Sequence, residues 1–400
     1  MERHRSAALG LVLALATAGR VTSAQATTDT TTQASAPSTG PAATDTSGRA
    51  TPASNSVPSL LRDVQANAFV SFGYLSNLNR PADDQIGLRY FDTQANTFSL
   101  DVAELVLQKA VANAGDVGFR VDFEAGSTIP GKEQSAGLSI GESADLQQAF
   151  LSYIAPVGTG LRLDVGKFVT HMGYELIEGY DGYNDEYSRS LLFNYAIPLT
   201  HTGVKATYAF SPKLSFMAEV VNGWDVAIDN NKGKSLGAQL AILPVSPLAI
   251  YLNYIGGPET AGDNGNVRHV LDLVTTLKVS DALSLGLNAD YGTEDGTSMV
   301  TPGDDATWTG VAGYAKISTP SVFSLGLRAE TFKDEGGTRL GIGAARANEF
   351  TITPTFKVAE HFVVRAEGRY DWVDQAVFTD RDGASKKNQA TVGINGIFVY

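Results

Sequence analysis

Charged side chains recur at every second position in several segments of this 400-residue sequence. The clearest are FRVDFE (119–124), LRLDV (161–165), LRAE (327–330) and VRAEGRYD (364–371). Side chains two positions apart share one face of an extended strand, so acids and bases alternate there while apolar residues occupy the other face. Such a face pairs its charges locally and holds water and passing ions weakly. The residues predicted to line this wet surface are Arg120, Asp122, Glu124, Arg162, Asp164, Asp290, Arg328, Glu330, Arg365, Glu367 and Arg369.

Other residues raise the question of catalysis or metal binding. His171 and His201 bracket one acidic segment, but two histidines without a third ligand are weak evidence for a metal site. Ser188 lies between them and would suit a serine esterase if a histidine met it in space. Residues 181–186 carry the oxygen groups that calcium prefers, without the spacing of a calcium loop. We therefore expect no metal, no cofactor and no enzymatic activity.

The elements that would position the charges are β-strands. In LSLGLNADY (283–291), Leu285 and Leu287 fall on one side, and Asn288 and Asp290 fall on the other. A soluble β-sandwich would bury the leucines in its core, whereas a membrane barrel would turn them to lipid and keep the polar side for a wet interior. One strand satisfies both arrangements, so the number and the connection of strands must decide.

Connections along the chain alternate between short and long. Seven short turns fall near residues 113, 157, 211, 245, 280, 319 and 359, and eight longer polar stretches separate them. Fifteen connections join sixteen strands of about ten residues each, the length that a tilted strand needs to cross a bilayer. The sequence therefore predicts an all-β fold for residues 63–400, an up-and-down antiparallel transmembrane barrel of about 16 strands. Its short turns would face the periplasm and its long loops the outside.

Aromatic residues near the strand ends also favour a membrane barrel, because such residues form girdles at both lipid–water interfaces. Those assigned to the long-loop end are Tyr74, Trp224, Tyr254, Tyr291 and Trp372. Those assigned to the short-turn end are Phe210, Phe323, Phe356, Phe362 and Tyr400. The final strand, TVGINGIFVY, resembles the C-terminal targeting strand of outer-membrane barrels, which implies recognition of the strand ending at Tyr400 by the barrel-assembly machinery.

The N-terminal region indicates export. Arg3 and Arg5 precede an apolar run (7–18) and small residues, which predicts a signal peptide over 1–24 that is cleaved. Residues 25–62 are rich in Thr, Ala, Ser and Pro and are predicted to be a disordered linker. The chain has no cysteine, so disulfides are excluded, and its net charge of −13 disfavours nucleic-acid binding.

The stretch 166–208 resembles the signature region of OmpL-like β-barrel porins. The residues that carry the resemblance are Gly166, Lys167, Phe168, Gly173, Tyr174, Glu175, Tyr187, Ser188, Arg189, Ser190, Ile197, Pro198, His201, Thr202 and Gly203. A looser resemblance extends from about residue 64 to the end. It implies an outer-membrane channel, and therefore contact with outer-membrane lipid, but it does not identify the solute and assigns no catalytic residue.

The third long loop, residues 171–200, is far longer than a hairpin needs and carries five carboxylates against one arginine. It could fold into the lumen and narrow it, or lie outside as a lid. Folded inward, it would face the wall arginines across a transverse field and favour cations. Its predicted constriction residues are Glu175, Glu178, Asp185 and Arg189.

The sequence thus favours a porin for passive diffusion of small hydrophilic solutes with mild cation preference. The alternative is a non-conducting structural or adhesive barrel that binds partners through its outer loops. A monomer and a homo-oligomer both remain open.

Overall fold

The computed structural model describes residues 63–129 and 144–400. The predicted signal peptide (1–24), the predicted linker (25–62) and part of the loop that follows residue 125 lie outside the described residues. Within them, no helix is both long enough and apolar enough to cross a membrane. The described residues form almost entirely β-strands and the loops that connect them.

Sixteen long strands form one closed antiparallel barrel, which confirms the predicted fold and strand number. The strands are β1 (Gln65–Asn77), β2 (Thr97–Lys109), β3 (Val117–Ala125), β4 (Ala144–Ala155), β5 (Leu161–Val169), β6 (Thr200–Ser211), β7 (Leu214–Val221), β8 (Ser235–Val245), β9 (Leu248–Pro258), β10 (Val267–Lys278), β11 (Leu283–Glu294), β12 (Ala306–Ser318), β13 (Phe323–Asp334), β14 (Ala345–Ala359), β15 (Phe362–Val373) and β18 (Asn388–Val399). Two short strands, β16 (Phe378–Thr379) and β17 (Ser385–Lys386), pair within the last long loop.

Each long strand pairs with its neighbour in sequence, and the last strand closes the barrel onto the first. β18 pairs with β1 from Phe69↔Val399 to Asn77↔Thr391. Closure matters because an open edge would leave backbone N–H and C=O groups unpaired in hydrocarbon. The predicted short turns join neighbouring strands at one end of the barrel, and the long loops join them at the other end.

The two phases of each strand face different surroundings, as β11 shows. Leu285 and Leu287 are 40% and 39% exposed, whereas Asn288 and Asp290 are 2% and 5% exposed. The apolar phase therefore forms the outer, lipid-facing surface and the polar phase points inward, as expected for a membrane barrel.

Most girdle residues lie on the outer surface, but the assignment of Trp224 was wrong. Its side chain is buried, and the guanidinium groups of Arg268 and Arg339 each lie 4.7 Å from its ring centroid. Trp224 follows the end of β7, where the two-residue period no longer dictates which way a side chain points.

Candidate pore constriction

The connection between β5 and β6, residues 170–199, lies inside the barrel and is called the inner loop below. Its second half, from Tyr187 to Leu199, is almost fully buried, and Leu192–Ala196 forms a π-helical turn. Trp308 Nε1 on β12 donates a hydrogen bond to the carbonyl of Ala196 at 3.2 Å. Of the two positions that the sequence left open, the structure therefore shows the inward one.

Apolar packing holds one side of the inner loop against the barrel wall. Leu191, Leu192 and Ile197 are fully buried with wall residues that point inward, including Trp308 and Phe332. These wall positions interrupt the otherwise polar inward phase. The apolar residues are visible in the sequence, but the alternating pattern alone predicted a polar inward face.

A glycine makes room for this contact on β12. A Cβ atom at Gly310 would lie 2.7 Å from Leu192 Cδ1, closer than carbon atoms approach without displacement. The glycine therefore lets the π-helical turn lie directly on the strand backbone.

Wall carboxylates bind the backbone of the inner loop. Glu330 accepts hydrogen bonds from the amides of Leu191 and Leu192, and Glu367 accepts them from the amides of Tyr187 and Ser188. A carboxylate that accepts from backbone N–H groups makes stronger hydrogen bonds than a neutral acceptor. These two predicted wall residues thus fix the loop instead of facing open water.

Wall arginines bind the carboxylates and carbonyls of the same loop. Arg328 Nη1 lies 2.7 Å from Glu175 Oε1, and Arg365 Nη1 lies 2.7 Å from Glu178 Oε1. Arg369 Nη1 donates to the carbonyl of the loop arginine at position 189 at 2.5 Å. The predicted meeting of loop acids with wall arginines is therefore present, but as direct ion pairs and not as two charged surfaces facing each other across a gap.

The remaining predicted residues also occupy the inward face or the inner loop. Arg120 pairs with Asp122 on the same strand and with Asp181 of the loop, both at 2.8 Å. Arg162 Nε lies 3.0 Å from Asp164 Oδ1. The other placements are Glu124 beside Gln147, Asp290 in register with Asp272, Asp185 beside Lys316 and Arg189 beside Glu178.

The first long loop, residues 78–96, also enters the barrel, which the sequence did not predict. Ile86 and Phe91 are buried. Arg89 Nη1 lies 2.7 Å from Asp92 Oδ2, and Arg89 Nη2 lies 2.9 Å from Oδ2 of Asp371 on β15. The available signal was the presence of isolated large apolar residues in an otherwise polar loop.

A cavity remains between the two loops, strands β1–β3 and the start of the loop that follows β3, and it is called the acidic cavity below. The side chains that line it are Ser71, Phe91, Asp92, Asp101, Val102, Glu124, Thr128, Ile129, Ile177, Glu178, Tyr187 and Arg189. Its charged groups are four carboxylates and one guanidinium. Acidic groups therefore outnumber basic groups among the side chains that line this space.

Glu178 belongs to the inner loop and not to a membrane-spanning strand. Burial by itself raises its pKa, but the guanidinium groups of Arg189 and Arg365 outweigh burial and bring the pKa below its ordinary value. The carboxylate is therefore ionised at neutral pH and keeps both ion pairs.

Ser188 is not arranged as a nucleophile. Its Oγ lies 3.2 Å from nitrogen atoms of both Arg328 and Arg369, whereas His171 and His201 contact Glu219. In the described part of the chain, neither histidine is a hydrogen-bond partner of Ser188.

Solved structures share this fold at low sequence identity. The outer-membrane channel DcaP of Acinetobacter baumannii matches with a TM-score of 0.57 and 12% identity, over 84% of this chain and 97% of that one. An anion-selective porin from Comamonas acidovorans matches with a TM-score of 0.55 and 10% identity, over 84% and 99%. OmpT of Vibrio cholerae, in a trimer form, matches with a TM-score of 0.55 and 13% identity, over 84% and 99%.

None of the curated proteins is significantly similar to the chain in sequence. A family model described as "Putative beta-barrel porin-2, OmpL-like" matches residues 63–399, which cover the entire barrel. The closed barrel, its polar interior and this match agree with the resemblance found in residues 166–208. The chain therefore belongs to the OmpL-like beta-barrel porin-2 family and is a porin-type channel of the outer membrane.

Proposed function

We propose that the barrel lets small hydrophilic solutes diffuse passively across the outer membrane, that it mildly prefers cations, and that solutes pass through the acidic cavity. The lining of the acidic cavity is the observation that carries the proposal. Four carboxylates and one guanidinium group line the acidic cavity. Asp92 is paired with Arg89, and Glu178 is paired with Arg189 and Arg365, so the excess negative charge is assigned to Asp101.

Asp101 on β2 is the carboxylate that best illustrates this imbalance. Its oxygens accept hydrogen bonds from Tyr187 Oη and Asn395 Nδ2, both at 2.9 Å, and from Ser71 Oγ at 3.3 Å. Ser99 Oγ is a fourth donor. All four donors are neutral, so they orient the carboxylate without cancelling its charge. A fixed anion beside a passage raises the local concentration of cations.

The second candidate function is a non-conducting barrel that serves as a structural or adhesive surface. It is favoured by the amount of chain inside the barrel, since both the first long loop and the inner loop pack there. The two functions differ in a simple observable, because only a channel conducts ions.

Planar-bilayer recording tests both candidates. We expect stepwise currents from the wild-type barrel and a reversal potential in a KCl gradient that shows K⁺ preference. Asp101→Asn should shift the reversal potential toward zero, because it removes a charge and keeps the size of the side chain. Asp304→Asn, in an exposed outer loop, is the matched control and should leave it unchanged. A folded but silent barrel would support the structural candidate, and anion preference would refute the assigned selectivity.

A further inference from the structure

Two histidines and a glutamate converge where both ends of the inner loop meet the barrel wall. His171 lies just after β5, His201 lies at the start of β6, and Glu219 lies on β7. Glu219 Oε1 is 3.3 Å from His171 Nδ1 and 3.9 Å from His201 Nε2. One ligand atom from each residue lies within 4.8 Å of the other two. These three residues are called the histidine–glutamate cluster below.

Backbone carbonyls orient both imidazole rings. His171 Nε2 lies 3.3 Å from the carbonyl oxygen of Tyr254, and His201 Nδ1 lies 3.1 Å from that of Gly223. A carbonyl oxygen only accepts, so each of these ring nitrogens carries the proton. In the neutral rings, the other nitrogens, His171 Nδ1 and His201 Nε2, therefore present lone pairs toward the carboxylate.

Lone pairs that face a carboxylate repel it unless a positive charge lies among them. The Glu219 oxygens and His171 Nδ1 are buried and make no hydrogen bond of acceptable geometry with the described part of the chain. Lys205 pairs in register with Glu219, but its ammonium lies over the ring of Phe168, 4.2 Å from the centroid. Thr170 Oγ1, 3.2 Å from His201 Nε2, is a hydroxyl and supplies no charge.

We propose that the histidine–glutamate cluster binds one divalent transition-metal ion of the zinc class. Two imidazole nitrogens and one carboxylate oxygen are a donor set that Zn²⁺ accepts, with water in the fourth position. Tetrahedral ligands at the usual bond lengths lie roughly 3.3 Å apart, so the Glu219–His171 separation already fits. The other two separations, each within 4.8 Å, would have to shorten by up to about 1.5 Å. Each ring also donates a hydrogen bond to a backbone carbonyl, and such a bond normally holds a histidine ligand in the correct tautomer.

The location defines what the metal would do. His171 and His201 are the residues at which the inner loop leaves and rejoins the wall, and Glu219 belongs to the next strand. A metal bound by all three would join both ends of the loop to β7. Because such an ion binds the folded barrel and not the unfolded chain, it would stabilise the barrel with its loop inside.

Zinc binding to untagged protein, extracted in detergent and treated with EDTA, tests the proposal directly. We expect about one Zn²⁺ per chain by equilibrium dialysis and metal analysis. The variants His201→Ala and Glu219→Gln should bind at least about tenfold more weakly. His361→Ala is the matched control, because His361 lies in the turn between β14 and β15, and it should bind as wild type does.

Two further measurements keep the test decisive if a variant fails to fold. Co²⁺ added to the wild-type protein alone should give the strong visible absorption of a tetrahedral site, and Zn²⁺ should abolish it. Zn²⁺ should also raise the urea midpoint of the wild type and of His361→Ala, but not that of Glu219→Gln. Absence of stoichiometric zinc binding to the wild type, or equal binding by Glu219→Gln, would overturn the proposal. None of these readouts depends on conductance.

Discussion

Arg365 of β15 and Glu178 of the inner loop form a buried ion pair, with Nη1 and Oε1 2.7 Å apart. The same guanidinium donates to the carbonyls of Asn184 and Glu186. One wall residue therefore binds a side chain and two backbone groups of the loop. This arrangement keeps the loop against the wall and leaves the acidic cavity as the space beside it.

Removal of Arg365 should release part of the inner loop. Arg365→Gln leaves Glu178 buried with Arg189 as its remaining basic partner, and breaking a buried pair typically costs about 3–5 kcal/mol. We expect a lower free energy of unfolding in urea and noisier single-channel currents. Arg346→Gln, on the exposed face of β14, should change neither. Quiet, wild-type currents from Arg365→Gln would show that this ion pair does not hold the loop.

The apolar contact between Leu192 and β12 should contribute to the free energy of unfolding about as much as the Arg365–Glu178 ion pair does. Leu192→Ala leaves a void between the π-helical turn and β12, and such truncations cost about 2–5 kcal/mol. Leu287→Ala removes the same atoms from the lipid-facing surface, where no packed protein interior is left incomplete. Urea titrations of both variants in the same detergent compare the two losses. Equal destabilisation would contradict the placement of Leu192 in a packed interior.

Acid should loosen the loop through Glu178. Because its pKa in the folded protein is lowered from the ordinary 4.5, the ion pairs contribute stability above that value, and this stability is lost as the pH falls through the lowered pKa. The contribution of Glu178 to conductance should therefore stay constant from pH 7 down to about pH 5 and be lost in stronger acid. Glu178→Gln should already be altered at pH 7 and should lack the acid transition. A transition of the same size in Glu178→Gln would assign it to another group.

The pairing of Tyr400 with Ala68 should be needed for assembly. Tyr400 exchanges two backbone hydrogen bonds with Ala68, each at 2.9 Å, at the seam between β18 and β1. Deletion of Tyr400 removes this pairing and the terminal aromatic side chain, so we expect less folded barrel in the outer membrane. Heat-modifiability on gels measures the folded fraction, and Tyr400→Phe serves as the control that keeps the aromatic ring. A normal folded fraction after the deletion would remove the assembly role.

Local pattern was enough to predict the barrel. Strand phase and turn position depend on neighbours in sequence, so Leu285 and Asp290 were assigned to opposite faces correctly. The contents of the barrel depend on contacts between distant residues. Glu219 looks like any alternating polar residue of a strand, and only the fold brings it to His171 and His201. The burial of Phe91 and Trp224 likewise depends on loops whose path no local period specifies.

The route of ions through the acidic cavity is the central claim, and cysteine modification tests it most directly. The chain has no native cysteine, so Thr128→Cys places a single thiol in the cavity lining. A water-soluble, positively charged thiol reagent should label it and reduce the cation current, while labelling of Asp304→Cys in the outer loop should leave the current unchanged. Complete labelling of Thr128→Cys with no change in current would show that ions take another path.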